Sequence, residues 1–183
     1  MWILGGIVVL GVFGVSVYNS LVRRRNRVDQ AYSTIEVQLT QRYDLIPKLV
    51  ETVKQYMGHE RSVLEDIVRL RQKAVSATDP SQKIAADNEL TRAMGQLNVT
   101  MENYPQLKAS DTFVQLQRSL NEVEEQLAAA RRSYNASVME YNTAVQTFPN
   151  SLLAGSMDFG TRTMFVADEK KRGDVDMRGL FQA

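Results

Sequence analysis

The chain begins with a run over residues 1–22 that contains no charged side chain and has apolar residues on every face of a helix. At about 1.5 Å per residue this run reaches roughly 33 Å, enough to cross a hydrocarbon core of about 30 Å. A cleaved signal peptide would need a positive region before the run and a small-residue cleavage site after it, and neither is present. The pattern therefore predicts a transmembrane helix.

Four arginines end the apolar run abruptly: Arg23, Arg24, Arg25 and Arg27. This sharp boundary weakens the alternative of a buried core helix. Cationic flanks are retained on the cytoplasmic side of a membrane, so the four arginines determine the predicted topology. We expect a single pass through the cell membrane, with the N-terminus outside and the bulk of the chain cytoplasmic.

Beyond the arginines, apolar residues recur at steps of three or four, which is the spacing of amphipathic helices. The first stripe runs from Val28 to Met57 and keeps its phase through Pro47. A proline inside a helix removes one backbone hydrogen bond, so one kinked helix and two helices separated near Pro47 both stay open. Asp79 and Pro80 then form a turn that begins another helix.

The most regular stripe covers residues 113–148 and ends at Pro149, which corresponds to a helix about 54 Å long. Long amphipathic helices joined by short connections pack antiparallel to one another. The sequence therefore predicts an all-α fold, in which an N-terminal transmembrane helix continues into an up-and-down helical bundle of three to four long, coiled-coil-like helices.

Three segments follow from these patterns: a transmembrane anchor over 1–22, a cytoplasmic helical bundle over 23–148 and a C-terminal tail over 149–183. The tail has no helical stripe, yet its first half is too apolar for a free linker. We expect the tail to dock on the bundle or on a neighbouring subunit.

Two asparagines lie one heptad apart on the last long helix, and each follows a tyrosine of the apolar stripe, as Tyr134-Asn135 and Tyr141-Asn142. Buried amides at these positions would hydrogen-bond a neighbouring helix or a chain end and fix the register. A role in binding a partner is the alternative. The glutamates of the same helix, Glu124 among them, are expected to form a solvated face.

Composition and charge narrow the possible chemistry. The 183 residues have a formal net charge of +1, no cysteine and one histidine, so neither nucleic-acid binding nor a zinc site is expected. His59 and Glu60 lack the second histidine of a zinc-protease helix, because position 63 is valine. No glycine-rich phosphate loop or nucleophile elbow occurs. We expect no catalytic residues, no cofactor and no enzymatic activity.

Several runs closely resemble the LemA family, over residues from about 1 to 155. They include Tyr-Asn-Ser-Leu-Val at 18–22, the long run at 42–54, and Ala-Arg-Arg-Ser-Tyr-Asn at 130–135. The positions within these runs and just after them that matter most are Arg42, Tyr43, Asp44, Leu45, Ile46, Pro47, Tyr134, Asn135, Tyr141, Asn142, Phe148 and Pro149. Arg42 and Asp44 are expected to stabilise the helix around Pro47 rather than to contact a ligand. The tail from about Met157 does not match.

The resemblance implies an N-terminal anchor, a short exterior N-terminus and a cytoplasmic helical bundle, without an accepted catalytic activity. Members of the family look like membrane-associated accessory proteins, often encoded near membrane metalloproteases of the HtpX type. We therefore hypothesise a non-enzymatic, self-assembling scaffold whose partners are the lipid bilayer and further copies of itself. The alternative is an adaptor or regulator of another membrane protein, such as an HtpX-type metalloprotease.

Overall fold

The computed structural model describes residues 2–58 and 60–165, and the regular secondary structure in this part of the chain is entirely helical, without a strand. The helices are α1 (Trp2–Lys54), α2 (Arg61–Ser76), α3 (Pro80–Thr100), α4 (Pro105–Lys108), α5 (Asp111–Gln146) and α6 (Asn150–Ala154). Short 3₁₀ turns follow α3 and α6, at Met101–Asn103 and Gly155–Met157. The prediction of an all-α helical bundle is confirmed. His59 and residues 166–183 of the predicted tail lie outside the described residues.

The first long helix, α1, continues through Pro47 without a break, which decides between the two alternatives that the sequence left open. Its 53 residues correspond to a length of about 80 Å. Pro47 itself is exposed, whereas Ile46 and Leu49 beside it are buried in the core. The proline therefore lies on the outer face of the helix, and its buried neighbours keep the apolar stripe in phase.

Helices α1, α2, α3 and α5 run alternately up and down. Helix α1 packs along α5 and α2, and α2 packs along α3. The direction of α5 follows from its charge contacts, because Glu140 meets Arg24 while Glu124 meets Arg42. One apolar core runs between these helices, and the predicted stripe of α5 is buried from Phe113 to Val145.

Phe148 does not continue the buried stripe of α5, although the sequence spacing placed it there. Helix α5 ends at Gln146, and the side chain of Phe148 is 79% exposed. A spacing of three or four residues places side chains on one face only while the backbone is helical. Phe148 lies after the end of α5, so its spacing from the buried residues does not place it in the core.

The N-terminal part of α1 differs from the prediction. Among residues 2–58 and 60–165, no helix is both long and apolar enough to cross a membrane. The predicted transmembrane anchor over 1–22 is therefore not supported, and the predicted topology that depended on it is not supported either. Val17 and Leu21, counted in that anchor, are buried in the core of the bundle instead.

After α6 the chain turns at Asp158, which adopts a left-handed conformation with φ of 57°. Residues 158–165 then run along the bundle without helical structure, and we refer to them as the docked segment. Phe159 and Phe165 of this segment are buried. The first part of the predicted tail thus packs against its own chain.

Candidate functional site

The centre of the bundle contains a buried ion pair between α1 and α3. Arg42 is 1% exposed and Asp87 is fully buried. The Nη1 atom of Arg42 donates to Asp87 Oδ1 at 2.7 Å and to Thr91 Oγ1 at 3.0 Å. Buried charges are tolerated only when they are paired and hydrogen-bonded, and this pair meets both conditions.

Helix α5 completes this cluster at its edge, with one cation and one carboxylate whose side chains are partly exposed. Arg131 Nη2 donates to Asp87 Oδ2, so two arginines from different helices converge on one carboxylate. Glu124 Oε1 lies 2.6 Å from the Nε atom of Arg42, although that N–H is not aligned for a hydrogen bond. The four formal charges cancel, and together they fix α1, α3 and α5 in one register.

Tyr43 joins the same cluster through its hydroxyl group, which donates to Asp87 Oδ1 at 3.3 Å. Burial of the ring, and then the nearby Asp87 carboxylate, raise the pKa of Tyr43 above its usual range. The phenol therefore stays protonated and remains a donor over the whole physiological range of pH.

The backbone carbonyl of Tyr43 shows how α1 tolerates a proline. In an α-helix this carbonyl accepts the N–H of the residue four positions later, which here is Pro47 and has none. The Nε atom of Arg71 on α2 donates to this carbonyl at 2.6 Å. Arg71 also lies near Asp44, with 3.9 Å between Nη2 and Oδ1. A side chain from the neighbouring helix thus replaces the missing backbone donor.

The two asparagines of α5 hold the docked segment by matching pairs of hydrogen bonds. Asn135 donates from Nδ2 to the carbonyl of Phe165 at 2.9 Å, and its Oδ1 accepts the N–H of the same residue at 2.8 Å. Asn142 does the same with Arg162, and both of its bonds measure 2.8 Å. Each side-chain amide therefore pairs with one backbone residue as a neighbouring strand would, and we call the two pairs the amide clamps.

Aromatic contacts support the amide clamps. The hydroxyl of Tyr134 donates to the carbonyl of Thr163 at 3.0 Å, and its ring meets that of Phe165 edge to face, with centroids 5.5 Å apart. Arg131 stacks over the ring of Phe165 at 5.5 Å, which connects the buried charge cluster to the docked segment. Tyr141 is 1% exposed and lies in the core.

The arginine cluster lies where α1 meets the last part of the bundle. Arg24 and Arg27 both approach Glu140 of α5, at 3.5 and 3.8 Å. Arg25 lies over the ring of Phe159 at 5.2 Å. Arg23 is exposed. These side chains therefore contact the bundle as well as the solvent.

At the opposite end of the bundle, an open groove of about 700 Å³ lies between the end of α1 and the start of α2. Apolar side chains form its floor, among them Met57 and Leu64. Three cations line it as well, from Lys54, Arg61 and Arg69, against the single carboxylate of Glu65. Within the described part of the chain, no group of acidic or histidine side chains has an arrangement that could hold a metal ion.

The structure brings together some of the residues singled out in the sequence and adds others. Arg42 and Tyr43 lie in the buried charge cluster, and Asn135 and Asn142 lie in the amide clamps. Leu45 is half-buried and Pro149 is half-buried beside α6. The sequence did not predict that Arg42 would have Asp87 and Glu124 as partners, or that Arg131 would also bind Asp87. An acidic residue among the apolar positions of α3 was the one available signal, because Asp87 lies next to Ala86 and one turn before Leu90.

Comparison with known proteins agrees with this geometry. The LemA family model matches residues 31–178, which include the buried charge cluster and both amide clamps. Protein LemA of Metamycoplasma hominis is 28% identical over an alignment that covers 98% of this chain and 84% of the relative. Magnetosome protein MamQ of Magnetospirillum gryphiswaldense is 26% identical, with 86% of this chain and 67% of the relative covered. The resemblance noted in the sequence is confirmed, and the chain belongs to the LemA family.

Proposed function

We propose that this protein is a non-enzymatic, membrane-attached scaffold, in which α1 carries an apolar end into a lipid bilayer and holds the bundle beside it. The observation that carries the proposal is the exposed apolar surface near the start of α1. Val8, Val9, Val12 and Val15 are all more than 60% exposed, although they belong to one continuous helix. Contiguous exposed apolar surface of this kind marks a membrane or protein contact.

The geometry at the base of this surface supports attachment to lipid. Val17 is the first buried position among the side chains of α1 that the structure describes, and residues 2–16 before it correspond to a length of about 22 Å. The arginine cluster follows within two to three turns, where cations attract anionic headgroups. Apolar insertion and electrostatic attraction would then act on the same helix.

The internal use of charge supports a structural role rather than a catalytic one. The buried charges of Arg42 and Asp87 and the partly exposed charge of Arg131 are engaged with one another, and they bridge three helices. A rigid bundle attached to a membrane is confined to two dimensions, which raises its effective concentration. Weak side-by-side contacts between copies would then be sufficient for assembly.

Liposome flotation of the full chain tests the attachment. We expect wild-type protein to float with vesicles that contain anionic lipid, and a chain with Val8→Asp and Val12→Asp to stay behind. Val99→Asp is the matched control, because Val99 is 68% exposed but lies near the end of α3, away from the apolar end of α1. Wild-type protein that does not float would overturn the proposal.

Mass photometry of the detergent-extracted chain tests the assembly. The scaffold proposal expects a defined oligomer or a series of oligomers. A strictly monomeric particle at micromolar concentration would overturn self-assembly and leave attachment to be judged by flotation alone.

The groove between α1 and α2 favours a second candidate function, that of an adaptor for another membrane protein, such as an HtpX-type metalloprotease. The groove combines an apolar floor with an excess of cations, so it fits an acidic, amphipathic segment of a partner. Val68 lines it and is 48% exposed. Pull-down with the full chain should recover one stoichiometric partner, and Val68→Glu should lose it. Recovery of further copies alone would favour the scaffold.

A further inference from the structure

The corner between α5 and α6 carries two large apolar side chains that nothing in the fold covers. Phe148 is 79% exposed and Leu152 is 70% exposed, the highest values among the large hydrophobic residues that the structure describes. Covering such a side chain is favourable because it removes apolar area from water. Two of them only four residues apart, at the junction of two helices, indicate a contact that the isolated chain does not make.

This corner lies at the level where α1 leaves the bundle. Glu140 of α5 contacts Arg24 and Arg27, and α5 then continues for less than two turns to its end at Gln146. Helix α6 packs against α1. Just after it, Phe159 meets Tyr18 of α1 edge to face, with centroids 5.7 Å apart. Phe148 and Leu152 therefore lie at the end of the bundle from which the exposed apolar start of α1 extends.

The charge at this end of the bundle favours an anionic partner. Four arginines lie within one helical turn of one another on α1, at positions 23, 24, 25 and 27. Among the described residues, Glu140 pairs with Arg24 and Arg27, and Asp29 is 3.8 Å from Arg162. The four arginines therefore outnumber the one described carboxylate that pairs with them. Exposed apolar side chains combined with an excess of cations match the interfacial layer of an anionic bilayer.

We propose that the α5–α6 corner, defined by Phe148 and Leu152, is a second membrane contact. It rests on the proposed function, because α1 first has to bring the bundle to the lipid. The two side chains enter the interfacial layer while the arginines face the headgroup phosphates. A single inserted helix leaves the bundle free to rotate about that helix. Contact through both α1 and the α5–α6 corner would fix the orientation of the bundle relative to the bilayer.

Tryptophan quenching in vesicles of anionic lipid with brominated acyl chains tests the corner directly. The native chain has a single tryptophan, Trp2, which reports whether α1 inserts. In a W2F background, F148W should shift its emission to shorter wavelength and lose intensity in the brominated vesicles. V99W in the same background is the control for an exposed site at the other end of the bundle, and it should keep its emission.

The outcomes separate this inference from the proposed function. Quenching of Trp2 without quenching of F148W would overturn the corner contact and leave α1 insertion standing. No quenching at either position would overturn both. A shift of F148W emission that grows with protein concentration in the absence of vesicles would identify a second copy as the occupant and overturn the lipid contact.

A binding measurement adds a second readout. Phe148→Ala combined with Leu152→Ala should weaken vesicle binding by about tenfold or more, since each tenfold corresponds to about 1.4 kcal/mol. Neutral vesicles should bind the wild-type chain less well than anionic ones. Equal binding of the double variant and the wild type would overturn the proposal.

Discussion

Pro47 leaves one backbone carbonyl of α1 without its helical donor, and Arg71 of α2 donates to that carbonyl instead. The effect of replacing Arg71 on the free energy of unfolding should therefore depend on whether residue 47 is proline. The carbonyl of Tyr43 would normally accept from residue 47, but proline has no N–H. Arg71 Nε lies 2.6 Å from that carbonyl instead. Because Tyr43 is only 4% exposed, its carbonyl would lose a partner inside the protein if Arg71 were removed.

The size of the coupling follows from these contacts. Arg71→Met keeps much of the aliphatic stem and removes the donor, which should lower the free energy of unfolding by about 1.5–3 kcal/mol, the range for hydrogen bonds to charged groups. In a Pro47→Ala chain the N–H of residue 47 can serve the carbonyl of Tyr43. The remaining loss is then the exposed contact of Arg71 with Asp44, worth at most about 1 kcal/mol.

Urea unfolding of four chains, followed by circular dichroism, measures this coupling: the wild type, the two single variants and the double variant. Arg69→Met is the matched control, because Arg69 lies on the same helix and pairs with Asp66 on the solvent side. Its cost should be small and equal in both backgrounds. If Arg71→Met lowers the free energy of unfolding equally with and without Pro47, the replacement of the missing backbone donor is refuted.

Three further predictions address the buried charges, the docked segment and the response to alkaline pH. Asp87→Asn removes the buried carboxylate that Arg42 and Arg131 share, leaves the partly exposed Glu124 beside Arg42, and should cost about 3–5 kcal/mol of unfolding free energy in urea titrations, whereas Asp66→Asn in an exposed pair should cost at most about 1 kcal/mol. Equal costs would contradict the role of burial. Asn135→Leu removes both bonds of one amide clamp, so hydrogen exchange at the N–H of Phe165 should accelerate about tenfold or more, and unchanged exchange would exclude the clamp as its protection. Burial, and then the Glu36 carboxylate, raise the pKa of Tyr32 from 10.0 to about 12, so the folded state holds this proton more tightly than the unfolded state. The associated stability is present below pH 10 and is lost as the pH rises toward 12, and Tyr32→Phe should flatten that decline in unfolding experiments; a decline of unchanged steepness would contradict it.

Much of the helical architecture follows from local sequence. The stripe of α5 from Phe113 to Val145 is buried as its period predicts, because a helix places residues three and four apart on one face. Asp79 caps α3 in the same local way, by accepting the N–H groups of Ser81 and Gln82. Both features depend on neighbours within a few residues, so no knowledge of the remaining chain is required.

The candidate site was only partly predictable, because its partners are far apart in sequence. Arg42 and Asp87 are 45 residues apart, and Asn135 and Phe165 are 30 residues apart. The sequence indicated that the asparagines would bind a helix or a chain end, but it could not choose between the two. The pattern indicated that Glu124 would be solvated. In the folded chain it pairs with Arg42 of α1, a contact that depends on how the two helices pack.

The sequence by itself determined that this protein is helical, which residues face its core, and which family it resembles, since these properties arise from periodic spacing and short contiguous runs. The tertiary structure alone decided which charges meet, how α1 passes through Pro47, and where the apolar start of α1 stops being exposed. Val17 and Leu21 look like part of an apolar anchor until the other elements of the bundle pack around them. Burial depends on which surfaces come together in space, and a linear pattern does not contain that information.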